Sequence, residues 1–121
     1  MTTDDVQVYA IEYKKDAVSL IEQNREKFGL ENITVIAAKA PEGLAELPMA
    51  THAFIGGSKG NLKEILKALY RKNPNMRVVI NAVSMETICE MQEILYLYPV
   101  RNEEVVQIQA NRAKKAGQYL L

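Results

Sequence analysis

Val8-Tyr9-Ala10-Ile11-Glu12, a short apolar run that ends on an acid, decides the fold of this 121-residue chain. From Val6 to Ile11 the sequence is mostly apolar, which fits a strand buried on both faces, as in parallel sheets. After it, Ala17, Val18, Ile21 and Phe28 recur at helical spacing, with Glu22, Arg25 and Glu26 on the other side. Gly29 then supplies the left-handed residue that commonly ends a helix.

The same rhythm continues outward. Ile33–Ala37 reads as a second strand, entered through Glu31-Asn32, and Pro41–Pro48 as a short helical turn bounded by prolines. His52–Ile55 is a third strand, halted by Gly56-Gly57. Asn61–Lys72 is an amphipathic helix through Leu62, Ile65, Leu66 and Leu69, and Asn61 with Glu64 has the spacing of a capping box. Arg77–Asn81 is a fourth strand. Ser84 caps a helix that carries Ile88, Met91 and Leu95 and stops at Pro99. Glu103–Ala110 is strand-like around Val105 and Val106, Asn111–Gly117 is a basic turn, and Tyr119–Leu121 starts a returning strand. Strict alternation of strands and helices implies parallel pairing with right-handed crossovers. The expectation is one α/β domain over residues 1–121: a doubly wound, mostly parallel sheet with antiparallel C-terminal strands at one edge.

Composition narrows the function. Apolar residues make up 48% and charged residues 25%, enough for a packed core. Lys plus Arg and Asp plus Glu balance at 15 each, against a surface built to coat nucleic acid or an anionic membrane. The lone Cys89 excludes an intrachain disulfide and, with the single His52, leaves no metal-ligand spacing. The N-terminus lacks the blocks of a secretory signal, and no apolar run approaches the ~20 residues of a membrane span. A cytoplasmic setting is expected.

In wound α/β sheets, ligands sit beyond the carboxyl ends of the strands. The candidates are therefore Glu12, Lys39-Ala40, Gly56-Gly57-Ser58 and Asn81. An acid after an apolar strand can accept from both hydroxyls of a ribose. It can equally sit at a helix N-terminus, where negative charge is favoured, and position alone leaves both open. Gly56-Gly57-Ser58-Lys59-Gly60 lets backbone approach a ligand, but it lacks the phosphate-loop order and also reads as a flexible connector. Asn81 can donate and accept, or merely turn the chain. Arg112, Lys114 and Lys115 form a basic cluster suited either to a polyanionic ligand or to a solvated hairpin tip. His52 reads as a packed or edge residue and Cys89 as packing. No catalytic residue can be assigned.

The order of these motifs is specific. Val8-Tyr-Ala-Ile-Glu12, Asn32-Ile-Thr-Val-Ile36 with Ala40-Pro-Glu42, Phe54-Ile-Gly-Gly-Ser58 with Gly60-Asn-Leu62, Asn81-Ala-Val83 and the late Asn-Arg-Ala-Lys-Lys turn resemble the decarboxylating precorrin methyltransferases of cobalamin biosynthesis. The resemblance runs from about Val8 to Tyr119. It implies a Rossmann-like class I methyltransferase fold, S-adenosylmethionine as methyl donor and a reduced tetrapyrrole (precorrin) as acceptor, methylated with loss of an acetate carboxyl. It implies that Glu12 binds the cofactor ribose, with Ala40 near the adenine and Gly56 and Gly57 near the methionine portion. Ser58, Asn81, Arg112, Lys114 and Lys115 would face the acceptor.

Two departures stand out. Lys39 replaces the family's usual acid before Ala-Pro, and the strand and glycine-rich loop that open the family's domain have no counterpart before Val8. The chain thus reads as a partial, N-terminally truncated domain, expected to self-associate as a homo-oligomer. Two other readings compete: a non-catalytic oligomeric or ligand-binding remnant of the fold, and half of a nicotinamide-dependent dehydrogenase. The latter explains none of the later motifs.

Overall fold

A computed structural model describes residues 6–57, 60–98, 100–116 and 119–120. The order is β1 (Val8–Glu12), α1 (Lys15–Lys27), β2 (Ile33–Ala37), β3 (His52–Ile55), α2 (Leu62–Lys72), β4 (Arg77–Ile80), α3 (Met85–Leu97), β5 (Lys115–Ala116) and β6 (Tyr119–Leu120). β1 pairs in parallel with β2, from Val8 opposite Ile33 to Glu12 opposite Ala37. β3 pairs in parallel with β4, from His52 opposite Arg77 to Ile55 opposite Ile80. Both pairs join through helices, as parallel neighbours must.

The continuous sheet expected from the alternation is replaced by three two-stranded sheets. Among the described residues no ladder joins β1 to β3. Glu103–Ala110 is not a strand: the segment is exposed throughout, with Val105 78% and Ile108 88% accessible. The antiparallel ending exists only as the short β5–β6 pair, which forms its own sheet rather than an edge of the β3–β4 sheet. A strand takes shape only against a partner, and residues 103–110 have none among the described residues.

The core lies over β3 and β4. Leu44, Ile55, Leu62, Ile65, Leu69 and Ile94 form the buried cluster, and Leu62 is wholly inaccessible. α2 supplies three of these from one face, as its sequence spacing requires. α3 adds Ile94, with Met91 beside it, while Ile88 and Cys89 are exposed, against the expectation that both face inward.

Local signals hold where chemistry dictates them. The Ser84 hydroxyl accepts from the Thr87 amide and caps α3. Gly29, at φ 61°, follows α1 in the left-handed region. α1 departs from its reading: Phe28 is exposed, while Arg25 turns inward to donate to the Ile33 carbonyl and to Glu22. Pro41–Pro48 forms successive turns, closed by Leu44 N–H to Pro41 O and Leu47 N–H to Leu44 O. Pro99 lies outside the described residues.

Total accessible surface is 10214 Å², against about 6,600 Å² for a compact monomer of this mass. Large apolar residues such as Phe28, Phe54, Val83 and Tyr96 are exposed. The small core makes each member count. Leu62→Ala is expected to cost roughly 2–5 kcal/mol and Ser84→Ala about 1 kcal/mol, both read from urea denaturation midpoints.

Candidate functional site

The carboxyl ends of β2 and β3 lie on one edge. Asn61, which opens α2 after the glycine loop, donates its Nδ2 to the Ala40 carbonyl at 3.1 Å. Its side chain caps no helix amide, so the capping box anticipated with Glu64 does not form. The amide ties the loop after β3 to the loop after β2 instead. Ladder bonds place the other strand ends beside them: Ala38 N–H donates to Glu12 O, and Asn81 N–H to Ile55 O. Glu12, Ala40, Gly56-Gly57 and Asn81 thus occupy one edge of the molecule.

Glu12 is half-buried at the end of β1, and its Oε1 accepts from the Tyr13 and Lys14 amides, both at 3.1 Å. These bonds fix the carboxylate in the turn before α1 and leave Oε2 available to a ligand. The turn-capping and ligand-binding readings of this acid are compatible.

The Lys39 ammonium lies 5.6 Å from the centre of the Tyr13 ring, close enough for a cation–π contact. Parallel register explains the meeting, since Glu12 opposes Ala37, Tyr13 comes one residue after Glu12 and Lys39 two after Ala37. This aromatic–cation pair beside Glu12 was not singled out in the sequence, although the register could have revealed it.

At Gly57 an added Cβ would meet nothing within 4 Å, so packing within the chain does not require a glycine there. At Gly56 it would meet only the Phe54 ring, at 3.0 Å. Open space beside the Gly57 backbone is what close approach of a ligand needs. Ser58 lies outside the described residues. Asn81 is exposed and lines a cleft of about 1000 Å³ with Phe54, Ile80 and Tyr98.

Among the described residues no hydrogen bond or ion pair ties the basic cluster to this edge. Arg112 and Lys114 are exposed on the segment before β5 and make no hydrogen bond or ion pair among the described residues. Lys115 opens β5, opposite Leu120. His52 is an exposed β3 residue beside the Thr51 hydroxyl, 2.9 Å from its Nδ1. Among the described residues no cluster of His, Cys, Asp or Glu is placed to hold a metal ion, and no helix is long and apolar enough to cross a membrane.

Asn61→Ala is expected to lower stability by about 1 kcal/mol, with faster amide exchange in the loops after β2 and β3 and little change in α3.

Comparison with known proteins gives this geometry a context. A sequence-family model described as "Precorrin methyltransferase domain" matches residues 1–121. A protein named probable cobalt-precorrin-6B C(15)-methyltransferase (decarboxylating), from Pyrobaculum calidifontis, is 35% identical over 113 residues, covering 93% of this chain and 57% of its own. A namesake from Methanothermobacter thermautotrophicus is 39% identical over 90 residues, 73% of this chain and 47% of its own. Among solved structures, a precorrin 8w decarboxylase from Methanobacterium thermoautotrophicum superposes with a TM-score of 0.80 and 31% identity, over 95% of this chain and 62% of its own. The chain spans about half the length of the curated relatives it matches.

Proposed function

The chain belongs to the family of precorrin methyltransferase domains, and from that premise we propose that it forms the larger part of a site for S-adenosylmethionine-dependent methylation of a precorrin, with decarboxylation, in cobalamin biosynthesis. One observation carries the reading: Glu12, Ala40, Gly57 and Asn81 share one strand-end edge, where wound α/β folds bind ligands.

The residues fit the cofactor. Glu12 Oε2 would accept from the ribose hydroxyls while Oε1 keeps its bonds to the turn amides. Ala40, anchored by Asn61, would flank the adenine. Gly57 would admit the methionine portion along open backbone, with Gly56 beside it next to the Phe54 ring. Lys39, drawn over Tyr13, puts a cation and a ring where the family usually has an acid. When bound, the sulfonium supplies an already activated methyl group, which an electron-rich tetrapyrrole carbon can attack directly. The protein's work is then positioning and exclusion of water, with no dedicated base required. Asn81 and Ser58 lie on the acceptor side in this reading. Arg112, Lys114 and Lys115 would meet the acceptor's carboxylates, which requires their segment to fold toward the strand edge. The free, exposed Cys89 accords with a reducing cytoplasm.

A second reading, a non-catalytic remnant that keeps the scaffold, is favoured by one observation: among the described residues no ladder joins β1 to β3 beside Glu12. Amide NMR titration with S-adenosylhomocysteine separates the two. The expected result is shifts confined to the turns after β1, β2 and β3, with Glu12→Ala weakening the response at least tenfold. No shift at millimolar ligand, or shifts scattered far from Glu12, would overturn the cofactor reading and leave the scaffold one.

A further inference from the structure

We infer that Lys39 reads the base of the bound nucleoside beside the Tyr13 ring, and that it reads it as a donor, so that the site takes a 6-oxopurine nucleoside at least as readily as an adenine one. The inference deepens the proposed function and rests on it for the ribose contact of Glu12.

A nucleoside held by its ribose at Glu12 sends its base to one side and its 5′ substituent to the other. The two sides differ. Toward Gly57 the backbone is open, which suits a flexible chain. Toward β2 lie the exposed Tyr13 ring and the loop of residues 39–41. A flat heterocycle gains from an aromatic face, so the base belongs on the β2 side.

Hydrogen bonds already made by that loop decide which base edge it can meet. Lys39 O accepts from the Glu42 amide at 3.0 Å, Ala40 O from Asn61 Nδ2 at 3.1 Å, and Pro41 O from the Leu44 amide at 3.1 Å. Pro41 has no amide hydrogen to give. The Lys39 ammonium is different. It lies 5.6 Å from the centre of the Tyr13 ring, and among the described residues its N–H groups have no hydrogen-bond or ion-pair partner, Glu12 included. The loop thus offers a free donor where its carbonyls are committed.

An ammonium donates and never accepts. On adenine it can bond a ring nitrogen, but it meets the 6-amino group donor to donor. On a 6-oxopurine both O6 and N7 accept, and lysine is a favoured partner for that pair. Lys39 gains these bonds by leaving the ring it covers, and the uncovered Tyr13 face is then free to stack on the base. Selection for the amino group would need an acceptor aimed at it, which the committed carbonyls of residues 39–41 do not supply. Lys39 is therefore a specificity-determining residue.

Isothermal titration of the chain with S-adenosylhomocysteine and with S-inosylhomocysteine tests this. The inosine compound should bind as tightly as the adenosine one, or tighter. Lys39→Gln, whose amide can both donate to N7 and accept from the amino group, should turn the ratio of affinities at least fivefold toward adenosine, and Lys39→Asp should turn it the same way. Tyr13→Leu should weaken both ligands and leave the ratio unchanged. An unsubstituted chain that prefers the adenosine compound threefold or more would overturn the inference, as would a ratio that neither Lys39 variant moves; in both cases the cofactor reading survives. Silence of both compounds at millimolar concentration would overturn the cofactor reading, and the inference with it.

Discussion

Among the described residues no ladder joins the β1–β2 half to the β3–β4 half, so cohesion between them rests on side chains. Ile11, Ala40 and Leu47 reach the cluster around Leu62 from the first half. Asn61 holds the Ala40 carbonyl, Lys72 donates to the Ala45 and Leu47 carbonyls, and Asn73 donates to Ala50 O. α2 thus works as a clasp. Both of its ends grip the 38–50 connector, while its apolar face covers β3. Position of the strand-end groups, and so the chemistry available to them, follows from this clasp rather than from continuous backbone pairing.

Such an arrangement separates two kinds of stability. The second half has a buried layer and short-range signals of its own, including the Ser84 cap. The first half has a parallel pair and α1, none of whose residues is fully buried. Local opening should therefore be easier around β1 and α1 than around α2. Glu12 lies in that looser half, held by the turn amides of Tyr13 and Lys14.

Much of this was legible in the sequence. Alternating apolar runs and helical spacings located β1 to β4 and α1 to α3 to within a few residues, because burial of those side chains is what forms the elements. Gly29 and Ser84 marked helix limits for steric and hydrogen-bonding reasons that need no tertiary context. What escaped depends on partners. Asn61 had a capping pattern, yet its amide found the Ala40 carbonyl, a choice that only the folded approach of two loops can make. Arg25 looked like an outer-face cation until the Ile33 carbonyl came within reach. Residues 103–110 have the composition of a strand, but composition cannot supply the neighbour that a strand requires. The candidate site shows the same division: Glu12, Ala40 and the glycines were found as strand ends, whereas the meeting of Lys39 with Tyr13 needed the register.

The stretch around Val105, Val106 and Ile108 has one more consequence. A water-exposed apolar run with two flanking acids, Glu103 and Glu104, is the kind of segment that chaperones hold and proteases nick. The two acids serve as gatekeepers against stacking with like segments. Resistance of the chain to proteolysis then depends less on the depth of its core than on whether that run is covered.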